Sequence, residues 1–488
     1  MIVPYSLFYR LAVYDIMVRR SRRGRLCLTY YIAGGLIMAR ETLKSRFGFI
    51  LISAGCAIGI GNVWKFPYLV GANGGGAFVL LYLFFLIVLG IPVMTMEFSL
   101  GRAARRSPVR MYQRLTPEKW GWHWHGYACW LGCVLLMMFY TTVAGWMLLY
   151  FYQTARGAFT GLEPKAIAGA FGAMLADPVL QVVPMAIVVI SGILICSHGL
   201  QSGLERVTKV MMVMLLIIMV VLAANSVFLD GAREGVVFYL QPDLAKMEEI
   251  GFTNVIVAAM NQAFFTLSLG IGAMAIFGSY IPKNNALLGE SVNVALLDTF
   301  VAITSGLIII PACFAYGVEP GSGPGLIFIT LPNIFNHMSG GVIWGSLFFI
   351  FMSFAAFSTV LAVFENIMAC TMDLTGWSRK KAGFVNGVLL LLLSLPCALG
   401  FNLLAGVHPM GGESSFLDLE DFIVSNILLP GGALVFVLYS MHSFGWGWKN
   451  FYAEANMGKG LKLPNWARGY FAYVLPLVVG AILVMGLM

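Results

Sequence analysis

The stretch Arg46 to Pro67, RFGFILISAGCAIGIGNVWKFP, decides the reading of this chain. It is apolar enough to lie in a bilayer, yet it carries Gly55, Gly59 and Gly61, followed by Asn62 and Lys65. Each glycine weakens a helix by roughly 1 kcal/mol, so Gly59-Ile60-Gly61 predicts a helix that breaks at its centre. Carbonyls freed at such a break need partners, because lipid offers none. A cation can serve. The device recurs at Phe264 to Gly272, FFTLSLGIG, where Gly270-Ile271-Gly272 interrupts a second apolar run. Either glycine pair alone would serve close helix packing. Two breaks, each opening one half of the chain, with a polar Asn62 beside the first, point to an inverted-repeat transporter with its site at the midplane.

Composition agrees. The 488 residues are 59% hydrophobic and 11% charged, with a mean hydropathy of +0.85, where a soluble protein carries about 25% charge. Apolar runs of about 20 residues recur along the chain, as membrane spans require. The expected fold class is an all-α polytopic membrane protein. Its eleven spans are placed near 47–70, 77–100, 124–153, 179–198, 206–228, 252–281, 287–315, 341–374, 382–403, 417–443 and 467–487. Five spans precede the second break, which suits a five-plus-five repeat (47–228 and 252–443) followed by one extra span. Residues 1–39 read differently. A basic run, Arg19 to Arg25, precedes an apolar piece, Leu26 to Met38, too short to span. This is expected to be an extension without a transport role, with the transporter domain at 40–488.

The net charge of +8 is not a nucleic-acid footprint. Arg102, Arg105, Arg106, Arg110, Lys283, Arg379, Lys380, Lys381 and Lys449 gather in one set of loops, whereas the opposite loop from Asn402 to Phe416 has no Lys or Arg. The excess of basic residues predicts a cytoplasmic N-terminus and, with eleven spans, an external C-terminus. The eight cysteines lie mostly in apolar runs without metal-ligand spacing and read as small packing residues. No cluster of His, Cys, Ser or carboxylates has catalytic spacing, which argues against an enzyme.

The segments RFGFILISAGCAIGIGNVWKFPYL, NGGGAFVLLY, GIPVMTMEFSLGR, NQAFFTLSLGIGA and GLIFITLP resemble the neurotransmitter:sodium symporter family, and its bacterial eleven-span amino-acid transporters above all. The resemblance runs in order through residues 40–488. It implies two sodium sites. The first would use the Ala57 carbonyl with the side chains of Asn62, Thr266 and Asp298. The second would use the carbonyls of Gly55, Ile58 and Ala355 with the hydroxyls of Ser358 and Thr359. Oxygen-only ligation suits a hard cation. The substrate pocket implied is lined by Cys56, Ala57, Ile60, Gly61, Leu136, Tyr140, Phe265, Thr266, Ser268, Ile271, Thr359 and Val363. Gates are implied at Arg40 with Asp373 and Tyr280 on the cytoplasmic side, and at Lys65 with Asp421 outside. Lys65 stands where the family usually has arginine, and lysine lacks the bidentate fork. Glu97 would accept from backbone unwound near Ser268 to Gly272.

Two departures sharpen the expectation. Asp298 is a carboxylate within VALLDTFVAI, costly in a membrane unless compensated. Chloride-dependent relatives carry a neutral asparagine there, so the fixed charge predicts chloride-independent transport. Monoamine-transporting relatives carry an aspartate where Gly59 stands, so the substrate here should bring its own carboxylate to the first sodium. The remaining lining is apolar. The expectation is a sodium-coupled symporter of a neutral, hydrophobic amino acid in the cytoplasmic membrane, with neither nucleic acid nor an organic cofactor involved. A sensor that binds an amino acid without moving it is the competing reading, and an ion channel is disfavoured because no repeated pore loop is evident.

Overall fold

The structure, a computed structural model, describes residues 15–20, 26–32, 35–37, 41–43, 45–116, 121–318 and 325–487. The chain divides into two units, 1–42 and 43–488. In the first, strands β1 (Asp15–Arg20), β2 (Leu26–Ile32) and β3 (Gly35–Ile37) form an antiparallel sheet in the order β1-β2-β3. Asp15 pairs with Tyr31, Arg20 with Leu26, and Tyr30 with Ile37. The apolar piece after the basic run therefore holds two strands, β2 and β3, and β2 is rich in the β-favouring types Thr, Tyr and Ile. The all-helical expectation describes the second unit only.

That unit is built from helices. The main ones are α1 (Arg46–Ala57), α2 (Gly61–Ala72), α3 (Gly76–Ala104), α4 (His123–Ala155), α5 (Pro178–Ser197), α6 (Leu200–Val227), α7 (Phe252–Thr266), α8 (Ala273–Gly278), α9 (Leu287–Ala315), α10 (Gly341–Thr375), α11 (Arg379–Leu399), α12 (Phe416–Met441), α13 (Trp448–Ala455) and α14 (Ala467–Leu487). Among the described residues, nine are long and apolar enough to cross a membrane, and the α1–α2 pair, bent by 57°, makes a tenth. The span expected at 252–281 is two helices, α7 and α8, neither long enough to cross alone. Unwinding between them divides its length.

Both breaks follow from local sequence. Helix α1 starts at Ser45, whose hydroxyl accepts from the Gly48 N–H at 3.0 Å, an N-cap. It stops at Ile58, in an extended conformation (φ −70°, ψ 104°), and helical winding resumes at Gly61. Beyond α7 the chain passes through left-handed values at Ser268 (φ 51°), Gly270 (φ 98°) and Gly272 (φ 71°) before α8 begins. At Gly270 a β-carbon would lie 2.0 Å from the Leu429 carbonyl oxygen of α12. Only glycine meets both the sign of φ and that approach. Helices α4 and α10 pack along one another, and α10 also lies against α1. The long rods thus hold the first break, with the second seated on α4 and α12.

Candidate functional site

Side chains catch the carbonyls freed at the first break. Ser268 donates to the Cys56 carbonyl at 3.2 Å and Gln262 to that of Gly61 at 3.1 Å. Ser305 on α9 donates to Asn62 O at 3.1 Å. On the α10 side, Ser358 donates to the carbonyls of Ile58 (3.2 Å) and Ala355 (2.9 Å), and Thr359 to those of Ile58 (3.1 Å) and Gly55 (3.3 Å). Two hydroxyls and three carbonyls from α1, its break and α10 therefore converge on one spot. This all-oxygen set has the chemistry of a hard-cation site.

A second polar group joins the two breaks. Asn62 donates its amide N–H to Asp298 Oδ1 at 2.8 Å and to Thr266 Oγ1 at 2.9 Å, and Thr266 donates to Asp298 Oδ2 at 3.0 Å. The Asn62 amide oxygen accepts from Gly59 N at 3.1 Å. All three side chains are buried, Asp298 completely. Among the described residues no Lys or Arg pairs with Asp298, so its charge is met by hydrogen bonds alone. A cation entering the triangle would supply the missing countercharge, with Asn62 turning its oxygen inward.

Beside these groups lies a small cavity of about 20 Å³, lined by Cys56, Ala57, Gly59, Gly61, Leu136, Tyr140, Phe265, Ser268, Ile271, Thr359 and Leu429. That holds a water molecule or so. An amino acid would have to part the walls. Of the sequence-predicted lining, Ile60, Thr266 and Val363 fall outside it. Ile60 instead donates its N–H to the Tyr140 hydroxyl at 2.8 Å, and Thr266 belongs to the Asp298 group. A β-carbon on Gly59 would lie 2.1 Å from the Tyr140 hydroxyl and 2.6 Å from Thr359 Oγ1. No side chain fits at that position in this packing. Sequence reasoning missed Leu429; the signal available was the Leu429-Pro430-Gly431-Gly432 run, another interruption in an apolar span.

Around the cavity the charged groups form ion pairs and hydrogen bonds. Lys65 Nζ lies 3.9 Å from Asp421 Oδ2 and sits over the Phe265 ring at 4.1 Å from its centre, so the pair rests on a residue that lines the cavity. Glu97 Oε1 accepts from Gly270 N at 2.7 Å, holding the second break against α3. At the basic end, Arg40 lies outside the described residues, and Asp373 accepts from Ser107 N at 2.7 Å and lies 3.9 Å from Arg106. Tyr280, expected at the same gate as Asp373, donates its hydroxyl to Glu365 at 2.7 Å, and Glu365 also binds Arg379 at 2.6 Å. Two further ion-paired groups stand at the start of α1. Arg46 pairs with Glu290 at 2.8 Å, and Lys209 bridges Glu205 (2.6 Å) and Ser45 (3.1 Å) at the start of α1.

A bundle of apolar spans around two helix breaks, with oxygen clusters and a small cavity between them, defines a membrane transporter. The sequence model of the Sodium:neurotransmitter symporter family matches residues 40–161 and 174–488, and the chain belongs to that family. An uncharacterized sodium-dependent transporter of Bacillus subtilis, YhdH, is 35% identical over 395 residues, covering 81% of this chain and 86% of its own. The sodium-dependent serotonin transporter of Drosophila melanogaster is 28% identical over 450 residues, covering 82% and 68%. Among solved structures, MhsT in complex with L-phenylalanine superposes with a TM-score of 0.82 at 36% identity, covering 92% of this chain and all of that one.

Proposed function

We propose that this protein is a sodium-coupled symporter of a neutral, hydrophobic amino acid, working by alternating access without chloride. The observation that carries this reading is the Asn62–Thr266–Asp298 group at the junction of both breaks, directly beside an apolar cavity. Asp298 brings a fixed negative charge to the first sodium site, taking the place an anion would fill. The second sodium lies among Gly55, Ile58, Ala355, Ser358 and Thr359. The substrate carboxylate faces the first sodium and the Tyr140 hydroxyl, and its side chain lies against Leu136, Ile271 and Phe265. The bound phenylalanine of MhsT supports an apolar amino acid as cargo.

Lys65 with Asp421 forms the outer gate, resting on Phe265. On the basic side Tyr280 with Glu365 and the latches at the start of α1 form the inner gate, with Asp373 and Arg40 as the further pair. With the α7–α8 segment as an eleventh span of a five-plus-five repeat plus one, the termini lie on opposite sides, the Lys/Arg-rich loops assign the N-terminus to the cytoplasm, and residues 1–39 take no part in transport. Uptake of labelled neutral amino acids into liposomes tests this, with sodium replaced by potassium and chloride by gluconate. Uptake that needs sodium and ignores chloride is expected. A chloride requirement would remove the role given to Asp298, and sodium-dependent binding without accumulation would make the protein a sensor.

A further inference from the structure

Away from the cavity, an open groove of about 620 Å³ runs between α5 and α11 at the Lys/Arg-rich end of the bundle. Its walls are apolar and exposed: Ile190 and Leu194 on one side, Phe384 and Val388 on the other, at 49%, 56%, 72% and 43% exposure. Gly387 keeps its floor open, since a β-carbon there would already touch Ile193 at 3.3 Å. The lining on α11 runs from Lys380 to Leu391, about 16 Å at 1.5 Å per residue. That is close to half of a hydrocarbon core about 30 Å thick, the depth of one leaflet.

The mouth is cationic in a particular way. Three basic residues stand in a row, and the protein engages two of them. Arg379 binds Glu365 (2.6 Å) and the Cys196 carbonyl (3.2 Å), and Lys381 lies over the Trp377 ring at 4.5 Å. Lys380 lines the groove, and among the described residues no carboxylate pairs with it. Opposite stands exposed His198, with Nδ1 held against Leu194 O at 2.7 Å, leaving Nε2 as the ring nitrogen not so held. Among the described residues no Asp or Glu lines the groove, so no carboxylate there would meet the ammonium of a zwitterionic headgroup.

We propose that this groove binds one anionic phospholipid, its phosphate at Lys380 and His198 and an acyl chain between Leu194 and Phe384. Basic pockets between spans hold anionic headgroups in this way. The site adjoins the proposed inner gate, because Arg379, next to Lys380, ties α11 to Glu365 and through it to Tyr280. A bound lipid would steady that corner; this second step rests on the transport reading, whereas the binding itself does not.

The test offers the purified full chain phosphatidylglycerol and phosphatidylcholine at equal concentration and counts retained lipids by native mass spectrometry. One phosphatidylglycerol should be retained in preference. Lys380→Gln should lower that preference about fivefold, the attraction of one basic side chain for an anionic surface, and Lys380→Arg should keep it. Gly387→Phe, which fills the groove, should remove the tightly held lipid. Thermal midpoints of the variants matching the parent would show that the fold is intact; a large fall would move the test to Val388→Trp, which fills the groove from its wall. Equal retention of both lipids by the parent and by Lys380→Gln would overturn the proposal. So would unchanged retention with a filled groove, or conversion of a dimer to a monomer by Gly387→Phe with retention unaffected, which would assign this face to a second copy. Sodium-driven uptake in phosphatidylcholine vesicles with and without phosphatidylglycerol reads the coupling separately. Absence of uptake in both vesicles would sink the transport reading and leave the retention result standing.

Discussion

At the scale of single residues the site depends on charge and on space. Asp298 is wholly buried, and the Asn62 amide and the Thr266 hydroxyl donate to its carboxylate. Removing its charge weakens attraction for a cation held in a low-dielectric site, where one close charge is worth more than 1 kcal/mol. Asp298→Asn should therefore raise the sodium concentration for half-maximal uptake by about tenfold or more. A sodium titration of uptake at fixed substrate measures this, and an unchanged midpoint would refute the first-site assignment. Gly59 depends on space. Because a β-carbon would overlap both Tyr140 and Thr359, Gly59→Ala should abolish high-affinity substrate binding while leaving the protein folded, and Gly59→Asp should do the same. Equilibrium binding of labelled substrate, alongside a thermal midpoint, separates the two effects. Asn62 and Asp298 were legible in sequence because polar side chains in apolar runs demand a reason, whereas Thr266 came only with the family resemblance. Leu429 was not legible, because one more leucine in an apolar span carries no such demand until the fold brings it to the cavity.

Helix interruptions explain what is legible at the scale of elements. The glycine-marked breaks could be read. The wide turns could not, although they follow a rule. Of six π-helical segments among the described residues, five end two residues before a proline: at Lys65 before Pro67, Gly90 before Pro92, Thr330 before Pro332, Leu428 before Pro430 and Val474 before Pro476. A proline ring collides with the carbonyl four residues earlier and offers it no N–H. Widening the preceding turn accommodates the ring without ending the helix. The sixth, Leu200–Glu205, follows Gly199 at φ 117° instead. One such turn delivers Leu429 to the cavity and its carbonyl to Gly270, so α12 and the second break are fitted to each other. Gly270→Ala would force a β-carbon to within 2.0 Å of that carbonyl in a left-handed conformation. Strain of this kind costs about 1–3 kcal/mol before the overlap is relieved. The expected outcome is a lower thermal midpoint together with loss of sodium-dependent binding. A variant as stable and active as the parent would mean that α12 does not seat the break.

At the scale of the whole molecule, under the proposed function, the gates set rates and the ions set direction. The outer pair, Lys65 and Asp421, is half-exposed and 3.9 Å apart, worth at most about 1 kcal/mol. Such a latch opens readily and cannot store the energy of accumulation. That energy must come from sodium. Each unit charge crossing 100 mV contributes about 2.3 kcal/mol, and a zwitterionic substrate contributes none. One sodium ion per cycle would therefore let an imposed 100 mV shift the zero-flux substrate ratio roughly 50-fold, and two ions roughly 2,000-fold. The two oxygen clusters predict the larger figure. Ser358 belongs to the second cluster alone, donating to Ile58 and Ala355, whereas the Asn62–Thr266–Asp298 group does not involve it. Ser358→Ala should consequently lower sodium affinity at the second cluster and leave the first intact, so that sodium activation of uptake becomes less steep. Liposomes with a potassium diffusion potential and known internal substrate give both quantities. A 50-fold shift in the parent would mean one coupled ion. An unchanged sodium curve in Ser358→Ala would show that the α1–α10 oxygens hold the helices together without carrying a coupled ion.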